Sequence, residues 1–158
     1  MDILQQAEQL VSLLRAKALK CATAESCTGG GVGYALSSVP GASEVYLGGV
    51  VAYDNSVKER VLGVPAQVLA RYGAVSAETA AAMAEGVRGL TGADFAVSVS
   101  GIAGPGGGSD TKPVGLVWFG IASAALTRTE KCIFTGDRRR VREQAIVHAM
   151  GMLGVMAL

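Results

Sequence analysis

Ala24-Glu25-Ser26-Cys27-Thr28-Gly29-Gly30-Gly31-Val32 follows a short apolar run that starts at Cys21, and leads into apolar residues of helical spacing. A buried strand turning into a helix through glycines is the repeating joint of an α/β sheet. At such a joint a hydroxyl and a thiol stand beside glycines that let a substrate approach the backbone. The first amides of a helix have no internal partner and lie at its positive end, so amides near Thr28, Gly29 and Gly30 suit a phosphate or a developing oxyanion.

Working outward, the remaining elements fall into alternation. Ile3, Ala7, Leu10, Leu14 and Ala18, with Leu4 and Val11, predict an amphipathic helix over residues 2–18. A strand is expected at 20–25, then a helix over 28–38 stopped by Pro40-Gly41. Residues 45–53 are rich in strand formers but contain Gly48-Gly49, which predicts a strand whose backbone is closely approached, with Gly49 a candidate contact to a ligand. Helices are expected over 56–62, from Pro65 to Arg71, and from a Ser76 cap to about Leu90, closed by Gly92. The nearly continuous apolar run 94–100 predicts a central strand. Residues 115–125 and 127–134 predict an antiparallel strand pair, and a last helix starts after Asp137. The pattern is a single three-layer α/β/α domain over 1–158, with a mixed, mostly parallel sheet containing one antiparallel strand.

Composition narrows the classes of function. Half of the 158 residues are hydrophobic, 17% are charged and 22 are glycine, the profile of a packed, loop-punctuated domain. A net charge of +1 and 5% aromatics supply neither the phosphate-neutralising charge nor the stacking platforms of a nucleic-acid surface. Three cysteines, Cys21, Cys27 and Cys132, lack paired metal spacing and suggest no disulfide framework; reduced thiols and a cytoplasmic location are expected. The longest apolar run, Ala145 to Leu158, is shorter than the roughly 20 residues that span a bilayer, so no membrane partner is expected. Its face around Met150 to Leu158 offers a surface on which a second copy could pack, so a homo-oligomer is an open expectation.

Four stretches carry chemistry. The single histidine, His148, lies in the apolar C-terminal stretch, where a histidine reads as a core residue, so a serine-histidine-carboxylate triad has little to build on. A lysine is then the base to look for. Tyr53-Asp54-Asn55-Ser56-Val57-Lys58 supplies one: Ser26 and Tyr53 both fall at carboxyl ends of strands, where ligands collect in doubly wound sheets, and Lys58 lies about one helical turn beyond Tyr53. A lysine removed from water has its pKa lowered and becomes a general base, giving a Ser26–Lys58 dyad with Tyr53 orienting the amine or relaying the proton. The competing reading is a solvated Lys58 paired with Glu59 or Asp54. Cys27 is a rival nucleophile, since a helix start would lower its pKa.

The third stretch, Ser100-Gly101-Ile102-Ala103-Gly104-Pro105-Gly106-Gly107-Gly108, follows the central strand. It matches neither a dinucleotide fingerprint nor a phosphate P-loop, yet offers backbone amides free of bulk for a phosphate, ribose or carboxamide; a flexible hairpin loop is the alternative. In the fourth, Asp137-Arg138-Arg139-Arg140-Val141-Arg142, basic residues open a helix against its dipole. Arg138 and Arg142 share a face and could clamp an anion, while Arg139 and Arg140 read as a solvated turn.

Thr23 to Gly30, Val39-Pro40-Gly41, Gly48-Gly49-Val50-Val51, Tyr53 to Lys58, Gly73-Ala74-Val75-Ser76, Ser100 to Gly107 and Lys112-Pro113-Val114-Gly115 together resemble the CinA C-terminal domain family along nearly the whole chain. The resemblance implies a five-stranded mixed sheet between helices and a nicotinamide-nucleotide amidohydrolase. Such an enzyme hydrolyses the carboxamide of nicotinamide mononucleotide (NMN) to the acid nucleotide and ammonia, in pyridine-nucleotide salvage, with no metal or other cofactor. It places the nucleophile on Ser26, the lysine on Lys58 and the tyrosine on Tyr53, and matches the family's Gly-Asp-Arg element to Gly136-Asp137-Arg138. Ser100 stands where the family pattern usually has threonine, and Asp54 where it often has serine. Longer members carry an extra N-terminal domain, and activities tied to that domain are not expected of these residues. A catalytically silent nucleotide-binding module, or a competence-linked accessory for protein interaction or DNA uptake, are the readings from other classes.

Overall fold

A computed structural model describes residues 2–158. In chain order the elements are α1 (Ile3–Ala16), β1 (Cys21–Glu25), α2 (Gly31–Ser37), a 3-10 turn at Ala42–Glu44, β2 (Tyr46–Val51), α3 (Asn55–Arg60), α4 (Ala66–Tyr72), α5 (Ala77–Thr91), β3 (Phe95–Gly101), β4 (Leu116–Ala122), β5 (Thr127–Ile133) and α6 (Arg138–Ala157). The sheet order is β2-β1-β3-β4-β5. β1 pairs parallel with β2 and β3, whereas β4 runs antiparallel to both β3 and β5. Four strands therefore point one way and β4 alone is reversed, in a three-layer α/β/α fold.

Local chemistry sets the boundaries. Asp2, Asp54, Ser76 and Asp137 each accept a backbone amide of the helix they open, as cap residues do. Gly92 closes α5 in the left-handed region. The Asp137 cap supplies negative charge at the start of α6, which offsets the run of arginines there. Arg139 and Arg140 pair with Glu143 on the surface, as a solvated turn would.

Each sheet face has its own core. On one side α1, α2 and α6 bury Leu10, Leu14, Val32, Leu36, Met150 and Leu153 against Val97, Val99, Val117 and Phe119. On the other, α5 buries Met83 and Val87 against Ala22, Ala24 and Ala96, with Leu62 and Val64 closing the edge. Small residues on β1 and β3 let α5 lie close to the sheet. No helix among the described residues is long and apolar enough to cross a membrane. The C-terminal apolar stretch is largely consumed inside the chain: Met150, Met152, Leu153 and Ala157 are buried, leaving Val155 and Leu158 exposed. The broad face expected there for a second copy is thus mostly core.

Gly49 also needs correction as a ligand contact. A Cβ at Gly49 would meet the Thr23 hydroxyl and, at 2.7 Å, the Tyr46 hydroxyl. The group that approaches this backbone belongs to the chain itself, and Gly49 does not line the cleft described below.

Candidate active site

The carboxyl ends of β2, β1 and β3 lie side by side, and each delivers one of the segments singled out above. Ser26 follows β1 and donates its amide to Val99 of β3 at 2.9 Å; Ala52 follows β2 and donates to Glu25 at 2.8 Å. Between these ends lies a cleft of about 290 Å³ lined by Ser26, Cys27, Tyr53, Asn55, Lys58, Ala74, Val75, Ser100, the loop 101–107 without Pro105, and Arg138. Larger hollows exist elsewhere, one of about 730 Å³ between α1 and α6, but the residues lining that one supply no serine or cysteine nucleophile.

Lys58 is 1% exposed. One turn into α3, it reaches back under the strand ends, where Nζ lies 3.1 Å from Ser26 Oγ, 2.9 Å from the Ala52 carbonyl and 3.2 Å from the Tyr53 carbonyl. Among the described residues it forms no ion pair, so the solvated Lys58 paired with Glu59 or Asp54 is excluded. Burial lowers its pKa, and the Asp54 charge pulls weakly the other way. Asp54 itself is occupied capping α3, accepting from the Ser56 amide and hydroxyl. In the neutral amine two N–H groups satisfy the two carbonyls, which leaves the lone pair for the Ser26 hydroxyl. The Tyr53 carbonyl, 3.5 Å from Ser26 Oγ, is too distant to compete strongly for that proton.

Tyr53 takes part differently from expectation. Its carbonyl holds the amine, while Tyr53 as a whole is 60% exposed and its phenol accepts a hydrogen bond from Arg138 at 2.9 Å. A proton relay through the phenol to Lys58 is therefore not assembled. Arg138 also donates to the Gly104 carbonyl at 2.8 Å. Its partners are neutral, and among the described residues no carboxylate neutralises it, so a cation faces the cleft.

The Gly-rich loop supplies amides. Gly101 ends β3, and Ile102 uses its amide on Leu116 at 2.8 Å. The amides of Ala103, Gly104, Gly106 and Gly107 donate to no acceptor among the described residues, and all four residues line the cleft. Ser100, 1% exposed, spends its hydroxyl proton on the Ala74 carbonyl at 2.8 Å. That bond fastens the Gly73–Ser76 turn to the end of β3 and makes Ala74 and Val75 part of the cleft.

The nucleophile turn departs most from the sequence reading. α2 begins at Gly31, not Thr28, because Gly29 and Gly30 adopt φ of +61° and +96°. The free amides at the helix start are already taken: Glu25, 2% exposed, accepts Val32 N at 2.8 Å, Gly33 N at 3.0 Å and Thr28 Oγ1 at 2.7 Å. Gly29 donates to the Ser26 carbonyl. The amides of Cys27, Thr28 and Gly30 have no acceptor among the described residues, but of these only Cys27 lines the cleft, and Thr28 is fully buried, so the expected oxyanion amides near Thr28 and Gly30 do not face it. Arg142 does not share the cleft with Arg138; it binds the Cys27 and Thr28 carbonyls from behind, at 3.1 and 3.2 Å. The expected two-arginine clamp is not formed.

Cys27 is corrected as a rival nucleophile. Burial pushes its thiol up to about 11, overriding the turn's amides. His148 packs 4.5 Å from Phe119, ring centre to ring centre, and meets Glu130 at 3.1 Å, away from Ser26; no triad forms. Ala74 and Val75 line the cleft without having been proposed as site residues. Glu25 was missed as well, although a carboxylate ending an otherwise small, apolar strand was the available signal. Glu25→Gln places an NH2 group among donors, and the fold is expected to lose on the order of 2–3 kcal/mol in urea denaturation.

The family model described as the CinA C-terminal domain matches residues 4–156, and the chain belongs to that family. A protein of Desulforudis audaxviator is 54% identical over 130 residues, covering 82% of this chain and 32% of that protein. A CinA-like protein of Anaeromyxobacter dehalogenans is 51% identical over 144 residues, 91% of this chain and 35% of that protein. The chain thus spans about a third of the length of these relatives. Among solved structures, the competence/damage inducible protein CihA from Agrobacterium tumefaciens superposes with a TM-score of 0.97 at 38% identity, covering 100% of this chain and 97% of that one. A CinA superfamily protein from Escherichia coli gives 0.92 at 34% identity, covering 98% and 89%.

Proposed function

We propose that this domain is an amidohydrolase that converts NMN to nicotinic acid mononucleotide and ammonia through a Ser26 acyl-enzyme. The observation that carries the reading is the Ser26–Lys58 contact of 3.1 Å, made by a lysine buried without a counter-ion. Neutral Lys58 takes the Ser26 proton as Oγ attacks the carboxamide carbon. Oxygen gains the negative charge, and the Cys27 amide, next to the nucleophile and lining the cleft without an acceptor among the described residues, holds it. The Lys58 ammonium returns the proton to nitrogen, the C–N bond breaks and ammonia leaves. Water, deprotonated by the same amine, cleaves the ester and restores Ser26.

Substrate choice follows from the rest of the cleft. Arg138, with neutral partners, suits the phosphate, and the amides of Ala103, Gly104, Gly106 and Gly107 suit phosphate or ribose oxygens. Incubation with NMN, with ammonia and the acid nucleotide both followed, tests the reading: a protein that binds NMN but forms neither product refutes it. Arg138→Met is expected to raise KM for NMN about 10–100-fold with kcat within a few-fold, and to leave phosphate-free nicotinamide riboside unaffected. An equal loss on both substrates would place the phosphate elsewhere.

A further inference from the structure

We infer that Asn55 recognises the leaving amino group of the carboxamide and so selects amides over other acyl derivatives. It is the first residue of α3, directly after the Asp54 cap and three before Lys58, so the two side chains leave neighbouring positions of the helix. Both residues line the cleft with Ser26. The Asn55 side chain makes no hydrogen bond among the described residues: the side-chain bonds of this segment run from Ser56 to Asp54 and from Lys58 to Ser26, Ala52 and Tyr53. The other polar side chains of the cleft are engaged. Ser100 donates to the Ala74 carbonyl, Arg138 to the Gly104 carbonyl and the Tyr53 phenol, and Lys58 to two carbonyls. The lining residues include no carboxylate, and Asn55 alone among them has a side-chain carbonyl to offer.

A primary carboxamide brings two N–H groups out of water, and an N–H left without an acceptor is costly. The acceptor matters most when the C–N bond breaks. As Ser26 Oγ bonds to the carbonyl carbon, nitrogen becomes pyramidal, with two hydrogens and one lone pair. The lone pair must meet the Lys58 ammonium, which hands over the proton taken from Ser26; the C–N electrons then pass to nitrogen and ammonia leaves. Asn55 Oδ1, accepting one N–H from the same helical turn that carries Lys58, sets the nitrogen with its lone pair toward that ammonium. An alkoxy leaving group has no hydrogen to offer and gains nothing from this acceptor.

This assignment rests on the proposed NMN hydrolysis, and the test separates the two. kcat/KM is measured for NMN and for the methyl ester of nicotinic acid mononucleotide, which shares its ring, ribose and phosphate and loses methanol in place of ammonia. Asn55 is exposed in the free protein, so its variants are expected to fold. In Asn55→Ala, and in Asn55→Leu, whose side chain keeps out a replacement water, the amide-to-ester ratio is expected to fall about 10–100-fold, as it does when an N–H is left unpaired. Asn55→Asp keeps an acceptor and recovers most of the ratio. Wild-type turnover of NMN with the ratio unaltered in Asn55→Ala and Asn55→Leu overturns the assignment, as does a ratio as low in Asn55→Asp as in Asn55→Ala. Wild type that cleaves the ester but leaves NMN intact refutes the NMN reading, and the amide preference with it. Wild type that cleaves neither removes Ser26 as the nucleophile and leaves Asn55 no acyl transfer to select.

Discussion

Ser26→Ala is expected to bring ammonia release from NMN down to the rate measured without protein, while NMN still binds within a few-fold of wild type. Lys58, the turn amides and Arg138 have no covalent step to assist once Oγ, which lies 3.1 Å from the Lys58 amine, is gone. Triad hydrolases keep some rate without their nucleophile because water can use the remaining oxyanion donors. Here the cleft is narrow, about 290 Å³, and Ser26 is 9% exposed, so the substrate itself excludes most water from the attack position. Calorimetric titration with NMN and an ammonia assay on the same preparation check both halves. Release by Ser26→Ala at more than a small fraction of the wild-type rate would assign the attack to another group.

Lys58→Met carries the second large effect. The proton transfer it supports is worth about 10²–10⁴ in rate, and kcat should fall by that order. Its pH signature distinguishes a base from a structural cation. Because burial lowers the Lys58 pKa, wild-type kcat/KM should rise with pH through a midpoint below the ordinary lysine value, and Lys58→Met should lose that rise. Stability follows the same group. Between the folded value and the ordinary lysine value the unfolded chain binds more protons than the folded one, so stability increases with pH across that window. Below the folded value both states carry the proton, and the contribution levels off. Urea midpoints at a series of pH values check the slope, and Lys58→Met should remove its contribution.

The fold was largely legible because its signals are local. Ser76 and Gly92 bracket α5, Asp137 opens α6, and the apolar run before Ser100 marks the central strand. The reversal of β4 followed from the short connection between the last two strands. Ser26, Lys58 and the Ser100–Gly107 loop were legible for the same reason, since parallel strands bring their carboxyl ends together. What escaped was what each backbone group does once packed. Glycine spacing predicts that something approaches Gly49, but not that it is the Thr23 hydroxyl. A helix start predicts free amides, but not that the Glu25 carboxylate, one residue before the nucleophile, claims two of them. The four-residue spacing of Arg138 and Arg142 sets them on neighbouring turns. It does not reveal that one faces the cleft and the other the back of the nucleophile turn.

The central claim is that Lys58 is an uncharged amine at working pH, poised on Ser26. The direct measurement is a pH titration of the Lys58 side chain by NMR in protein carrying 13C-labelled lysine, its resonance identified by its absence in Lys58→Met. The account predicts a midpoint well below those of the exposed lysines and coincident with the midpoint of kcat/KM for NMN. A Lys58 that titrates together with the exposed lysines would contradict it.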